Sequence, residues 1–132
     1  MDQIIKNIFQ MTKTIAVVGL SPNPVRSSNH VASYLKHQGY QIIPVYPRLD
    51  QDILGEKVYK ELKNIPCKVD TVVIFRKAKY TPELVEQAFQ IEAKAAWLQE
   101  GIVSRQAEKI ASDKGLLFVM DRCMLKEHLK YS

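Results

Sequence analysis

The chain has 132 residues, a length that suits one domain with one hydrophobic core. Its composition, 46% hydrophobic and 25% charged, is typical of a globular protein and excludes an intrinsically disordered one. No apolar stretch is as long as a membrane span, and the N-terminal residues lack the pattern of a secretory signal, so we expect a cytoplasmic protein.

The basic charge is spread along the chain. The formal net charge is +5 at pH 7, but the Lys and Arg residues form no block, and no RNA-binding aromatic motif accompanies them. We therefore expect neither nucleic acid nor a membrane as a partner, and nucleic-acid binding is the third of three functional hypotheses. Cys67 and Cys123 form no CxxC or metal-binding pattern, which favours two reduced thiols and no metal site.

The first third of the chain predicts a helix, a strand and a second helix. Apolar residues at helical spacing predict an N-terminal helix over residues 1–12. A β-branched, almost wholly apolar segment predicts a buried strand over residues 13–18. We expect Ser27 or Ser28 to cap the next helix, which Gly39 ends.

The middle of the chain predicts two more strands and a short helix. The second strand covers residues 41–46 and stops at Pro47, followed by a polar loop over residues 48–55. A short helix is predicted over residues 58–63, and a third strand over residues 70–75.

The last part of the chain continues the same alternation. Thr81, whose hydroxyl is expected to cap a helix, followed by Pro82 is a strong signal for the start of that helix, and Ser104 is expected to cap another that Gly115 ends. Three further segments are predicted: strands over residues 95–98 and 116–120, and a C-terminal tail over residues 121–132 with a turn or two of helix. Strands that alternate with helices predict one α/β domain, with a mainly parallel five-stranded sheet and helices on both faces. Such sheets bind ligands at the carboxyl ends of their strands.

The loop after the first strand lacks the dinucleotide-binding motif. G-x-G-x-x-G would place its second and third glycines at Ser21 and Pro24. The second strand ends in Tyr46, Pro47 and Arg48, where an NAD site would have an acidic residue. The sequence therefore disfavours NAD, whereas NADP remains open because Arg48 could meet a ribose phosphate.

The same loop retains features that suit a phosphate. Unpaired N–H groups at a helix N-terminus attract anions, whatever the number of glycines before them. Ser21, Ser27 and Ser28 add hydroxyl donors, and Arg26 adds a planar guanidinium that matches phosphate oxygens. The alternative is a tight polar connection with Arg26 in solvent, and the loop alone does not decide between them.

Six stretches in this order and spacing resemble one family, the small bacterial CoA-binding proteins. They are KTIAVVGLSPNPVRSS at 13–28, IIPVYP at 42–47, ILGEKVY at 53–59, VDTVVIFRK at 69–77, WLQEGI at 97–102 and VMDRC at 119–123. The domain of that family resembles the nucleotide-binding N-terminal domain of the succinyl-CoA synthetase alpha subunit. The resemblance implies a Rossmann-like, doubly wound fold, a single CoA-binding domain over residues 1–132, and CoA or an acyl-CoA as the ligand.

The resemblance also implies which residues bind CoA, and each group of them follows a strand. The groups are Gly19, Leu20, Ser21, Arg26, Ser27 and Ser28 at the diphosphate; Val45, Tyr46, Pro47 and Arg48 beside the adenosine and its 3′-phosphate; Phe75, Arg76 and Lys77 near the adenine; and Gln99, Glu100 and Gly101 at the diphosphate or the pantetheine arm.

The chain departs from the family pattern at two positions. Tyr46 stands where the family commonly has Asn, and its ring would either stack on adenine or fill the pocket. Met124 stands where the family commonly has Pro. Ligase activity would need a further domain with a phosphorylated histidine, so our first hypothesis is CoA binding without turnover. The second hypothesis is an NADP- or CoA-dependent enzyme that uses Glu100 as a base or Cys123 as a nucleophile.

Overall fold

A computed structural model describes residues 1–48 and 50–131 of the chain. Positions 49 and 132, which fall in the predicted loop and tail, lie outside the described residues. Five strands pair in parallel in the order β2-β1-β3-β4-β5, with the bounds β1 Thr14–Val18, β2 Gln41–Val45, β3 Thr71–Ile74, β4 Ala95–Leu98 and β5 Leu117–Val119. The predicted α/β fold with a five-stranded parallel sheet is confirmed.

In the described part of the chain, five α-helices cover the sheet. Their bounds are α1 Asp2–Met11, α2 Ser27–His37, α3 Thr81–Gln90, α4 Arg105–Lys114 and α5 Met124–Tyr131. Helices α1, α2 and α5 pack on one face of the sheet, and α3 and α4 pack on the other, so the prediction of helices on both faces is confirmed. No described helix combines the length and the apolarity that crossing a membrane requires.

The side chains of β1 alternate between the two hydrophobic cores. Ile15 and Val17 belong to the core under α1, α2 and α5, whereas Ala16 and Val18 belong to the core under α3. Every residue of β1 is buried, as expected of a central strand that is covered on both faces.

The strand order reverses next to β1. The chain leaves β1 for β2 on one side and then crosses back to β3 on the other, where Val18 lies in register with Ile74. The loops after β1 and β3 therefore diverge and leave a crevice between them. In open α/β sheets this topological switch point is where ligands bind.

The predicted short helix over residues 58–63 is wrong. Tyr59 is extended and pairs with β2: its N–H donates to Pro44 O at 3.0 Å, and Tyr46 N donates to its carbonyl at 3.0 Å. Val58 and Tyr59 are good strand formers, and pairing with the free edge of β2 outweighs the weak helical pattern. A 3₁₀ turn follows only at Leu62–Asn64.

Two predicted helix caps differ from the structure. The N-cap of α2 is Arg26, so neither Ser27 nor Ser28 caps the helix. Thr81 is the first residue of α3, and its hydroxyl donates to Ala78 O at 2.7 Å, because a 3₁₀ turn at Ala78–Tyr80 leads directly into the helix.

The remaining predicted helix signals agree with the structure. The side chain of Ser104 caps α4 by accepting a hydrogen bond from Ala107 N at 3.1 Å. Gly115, with a φ of 77°, ends α4 in the left-handed conformation that favours glycine. The C-terminal tail forms the two turns of α5, whose residues Met124 and Glu127 are buried.

Candidate functional site

Three adjoining hollows line the carboxyl edge of the sheet. The β2-side hollow lies at the ends of β1 and β2, beside the first turns of α3, and the central hollow lies at the N-terminus of α2. They share Gly19 and Tyr46. The β4-side hollow lies between the ends of β3 and β4, and it shares Ser27 and Phe75 with the central hollow. The three hollows therefore form one continuous groove across the topological switch point.

The groove collects most of the residues that the sequence singled out. From the predicted set it is lined by Gly19, Ser21, Arg26, Ser27, Ser28, Val45, Tyr46, Pro47, Phe75, Arg76, Lys77, Gln99, Glu100 and Gly101. Two predicted residues lie elsewhere. The side chain of Leu20 is fully buried in the core, and Arg48 lines a small adjoining hollow with Pro22 and Asp50 that shares only Tyr46 with the groove.

Gly19 allows the close approach of β1 and β3 at the floor of the groove. Its φ is +86°, and a Cβ atom there would lie 2.7 Å from Phe75 O and 3.2 Å from Arg76 Cδ. Its N–H donates to Val45 O at 2.9 Å, which ties the start of the loop to the end of β2. Only glycine satisfies both the backbone conformation and the space.

Buried side chains of α2 fix the loop after Gly19. Ser28 Oγ accepts a hydrogen bond from Ser21 N at 3.0 Å, and Asn29 Nδ2 donates to Ser21 O at 2.9 Å. Ser28 and Asn29 are each only 6% exposed. Asn29 was not among the predicted site residues, although its position three residues before Ala32 places it on the inner face of α2.

The N-terminus of α2 opens into the central hollow. The first intrahelical bond of α2 runs from His30 N to Arg26 O at 3.1 Å, so the N–H groups of Ser27, Ser28 and Asn29 have no partner within the helix. The side chain of Arg26 is exposed, and it forms no ion pair with a described residue. Unpaired donors, the helix dipole and a guanidinium together suit an anion with several oxygens.

The β2-side hollow has a mixed apolar and polar lining, with a volume of about 200 Å³. Arg76 lies over the ring of Tyr80, with Cζ 4.5 Å from the ring centroid. Tyr80 was not predicted as a site residue, although it follows the third strand and is four residues after Arg76. Lys60 and Leu62 were not predicted either, and they line the hollow because Tyr59 pairs with β2.

Internal contacts hold the groups at the end of β4. Gln99 is buried, and its Oε1 accepts a hydrogen bond from Met124 N at 3.3 Å. The carboxylate of Glu100 pairs with Lys126 Nζ at 3.1 Å, and this hydrogen bond raises the pKa of Lys126. Glu100, the candidate base, is therefore already engaged by a cation.

Cys123, the candidate nucleophile, is half-buried against the core and does not line the groove. Within residues 1–48 and 50–131 no cluster of three or more His, Cys, Asp or Glu could hold a metal ion.

Relatives of this chain include small proteins and much longer enzymes. It is 39% identical over 124 residues to Bacillus subtilis YneT, and this match covers 94% of this chain and 91% of YneT. It is 32% identical over 99 residues to the ADP-forming acetate–CoA ligase II of Archaeoglobus fulgidus. That match covers 74% of this chain but only 15% of the ligase.

Solved structures and the family comparison agree with this relationship. A hypothetical protein from Pyrococcus horikoshii OT3 has 42% sequence identity and a TM-score of 0.92, with 98% of this chain and 91% of that chain covered. The family described as the CoA binding domain matches residues 13–129, almost the whole length. The chain therefore belongs to the CoA-binding domain family.

Proposed function

We propose that this protein binds CoA or an acyl-CoA in the groove at the carboxyl edge of the sheet, without turnover of its own. The observation that carries the proposal is the central hollow, which is lined by Gly19, by Arg26 and by the first residues of α2 with their free N–H groups. This hollow would hold the diphosphate, a negatively charged group that is common to CoA and all its thioesters.

The neighbouring hollows suit the two ends of the ligand. The β2-side hollow, between Tyr46 and the stacked pair of Arg76 and Tyr80, would take the adenosine. The β4-side hollow would take the pantetheine arm, because it continues from the central hollow past Phe75 to Gln99, Glu100 and Gly101. The 3′-phosphate would meet Arg48 at the margin of the groove, from the small hollow that shares Tyr46.

Binding without turnover is supported by the contacts and the location of the two candidate reactive groups, Glu100 and Cys123. The carboxylate of Glu100 is paired with Lys126, and Cys123 lies outside the lining of the groove. The described lining residues provide no pair of nucleophile and base within hydrogen-bond distance. Incubation with acetyl-CoA should therefore leave the thioester intact over hours, as followed by free-thiol release.

Calorimetric titration of the full chain tests the ligand directly. CoA, dephospho-CoA, NADP and a short oligonucleotide are titrated under the same low-salt conditions. We expect CoA to bind more tightly than the other three. If NADP binds tightly while CoA fails to bind at about millimolar concentration, a free energy of only ~4 kcal/mol, the proposal is wrong. Native mass spectrometry of freshly purified protein would show independently whether a ligand with the mass of CoA remains bound.

A further inference from the structure

The position of the loop at the end of β4 is set by a hydrogen bond to Asp121, which lies twenty residues after Gly101 in the chain. We name residues 99–101 the β4 loop and residues 121–126 the β5–α5 segment. The N–H of Gly101 donates to Asp121 Oδ1 at 2.8 Å, which joins the two. Because this N–H points at Asp121, it is not available to a ligand in the groove. The bond instead sets where the β4 loop lies.

Asp121 has an unusual backbone conformation that suits this role. Its φ is +60°, in the left-handed region where Asp and Asn are the most tolerated residues after Gly. Gly101, on the other side of the bond, has a φ of +89°. Glycine adopts such a φ without strain, so the conformational cost falls on Asp121, and its hydrogen bond to Gly101 compensates part of that cost.

Other contacts hold the same two stretches of chain together. They are the bond from Met124 N to Gln99 Oε1 at 3.3 Å and the ion pair of Lys126 with Glu100 at 3.1 Å. The bond from Trp97 Nε1 to Arg122 O at 2.8 Å also ties the β5–α5 segment to strand β4 itself. The β5–α5 segment thus supports the β4 loop along its whole length. Asp121 is exposed and lines none of the three hollows, so its influence on a ligand passes through Gly101.

We propose that Asp121 is a positioning residue for the pantetheine arm of CoA, because it fixes the β4 loop against which that arm lies. This inference rests on the proposed function, and it concerns the pantetheine arm of CoA separately from the nucleotide end. The β2-side and central hollows do not include the β4 loop. Losing the Asp121 bond should therefore weaken ligands that reach the β4-side hollow and leave the nucleotide end of CoA unaffected.

Two ligands and two variants separate these effects. The ligands are CoA and 3′-phospho-ADP, which is the nucleotide of CoA without the pantetheine arm. Asp121→Gly keeps the left-handed backbone but removes the acceptor, whereas Asp121→Asn keeps an acceptor oxygen and tolerates the same φ. Calorimetry on the full chain measures the Kd of both ligands for the wild type and each variant.

We expect Asp121→Gly to weaken CoA by about tenfold, the scale of one hydrogen bond to a charged group, while the Kd of 3′-phospho-ADP stays within about twofold. Asp121→Asn should restore most of the CoA affinity. An equal loss for both ligands, or no loss for CoA, would overturn the role of Asp121. So would a wild type that binds CoA no better than 3′-phospho-ADP. Failure of the wild type to bind either ligand would instead overturn the proposed function.

A measurement without any variant covers the case in which Asp121→Gly does not fold. The amide resonance of Gly101 is followed by NMR in the wild-type chain during titration with each ligand. We expect it to shift with CoA and to stay in place with 3′-phospho-ADP. A Gly101 amide resonance that does not shift in the presence of saturating CoA would contradict the inference.

Discussion

The hydroxyl of Ser28 accepts a hydrogen bond from the backbone N–H of Ser21 at 3.0 Å, and so joins the first turn of α2 to the loop that follows β1. The adjacent Ser27 is exposed, and its side chain has no hydrogen-bond partner among the described residues. Two neighbouring serines that look alike in the sequence therefore have different roles. Ser28 supports the loop from within, while Ser27 faces the groove.

Ser28→Ala should lower the free energy of unfolding by about 1 kcal/mol, because it leaves the N–H of Ser21 without its partner in a half-buried loop. Urea denaturation measures the change. Ser27→Ala is the matched control and should change stability by less than about half as much. Equal losses for the two variants would contradict the role assigned to Ser28.

Arg26→Ala should weaken CoA binding by about 1.5–3 kcal/mol, the range for a hydrogen bond to a charged group. Calorimetry gives the affinity, and thermal melting should show unchanged stability because the Arg26 side chain is exposed. Lys109→Ala, which removes an exposed cation of α4, controls for the loss of one positive charge. An unchanged CoA affinity in Arg26→Ala would place this guanidinium in solvent, as the alternative interpretation of the loop holds.

Arg48→Ala distinguishes the 3′-phosphate from the rest of the ligand. If Arg48 meets that phosphate, the variant should lose several-fold affinity for CoA and almost none for dephospho-CoA, since an exposed ion pair contributes about 1 kcal/mol or less. Calorimetry with both ligands measures the two changes. Equal losses would show that Arg48 acts on the whole ligand, and the cation Lys60 of the β2-side hollow would become the candidate partner of the 3′-phosphate.

Gly19→Ala should destabilise the fold by ~3 kcal/mol or more, because strain at a φ of +86° adds to the approach of 2.7 Å between the new Cβ and Phe75 O. Gly115→Ala is the control, since Gly115 has a φ of +77° but nothing within 4 Å of the position that an alanine Cβ would take. It should cost only the strain, about 1–2 kcal/mol. Equal unfolding free energies for the two variants would mean that the ends of β1 and β3 move apart to make room for the new methyl group without loss of stability.

Stability should fall as the pH drops below about 6.5, the ordinary pKa of histidine. The ring of His128 packs edge-on against Phe9, Tyr34 and Tyr40, and burial lowers its pKa in the folded state. The unfolded chain therefore takes up a proton first, so the contribution is complete above the unfolded pKa and is lost as the pH falls toward the folded one.

Urea denaturation between pH 7.5 and about pH 5 tests this effect of His128. In His128→Gln the dependence of the unfolding free energy on pH should become shallower, whereas His30→Gln, which removes an exposed imidazole, should keep the steeper dependence. A wild-type slope that survives in His128→Gln would assign the effect to another group.

Apart from residues 58–63, local patterns in the sequence were sufficient for the order of strands and helices. The β-branched residues of the apolar run before Gly19 indicated a buried strand, and the serine at 104 with the glycine at 115 bounded α4 as predicted. Because parallel strands end at one edge of their sheet, the same order also placed most of the candidate groove. These properties depend on residues within a few positions of each other.

Contacts between distant residues required the tertiary structure. Tyr59 pairs with Val45 because the edge of β2 was free. Leu20 lies outside the groove because its side chain is buried in the core, and Arg48 lies outside it because the loop after β2 carries it into the adjoining hollow. The bond between Gly101 and Asp121 joins residues twenty positions apart that share no local pattern. The sequence thus determined most of the elements and which of their ends meet. The pairing of Tyr59 with β2, the side-chain directions and the long-range hydrogen bonds depend on packing of the whole chain and were decided only by the fold.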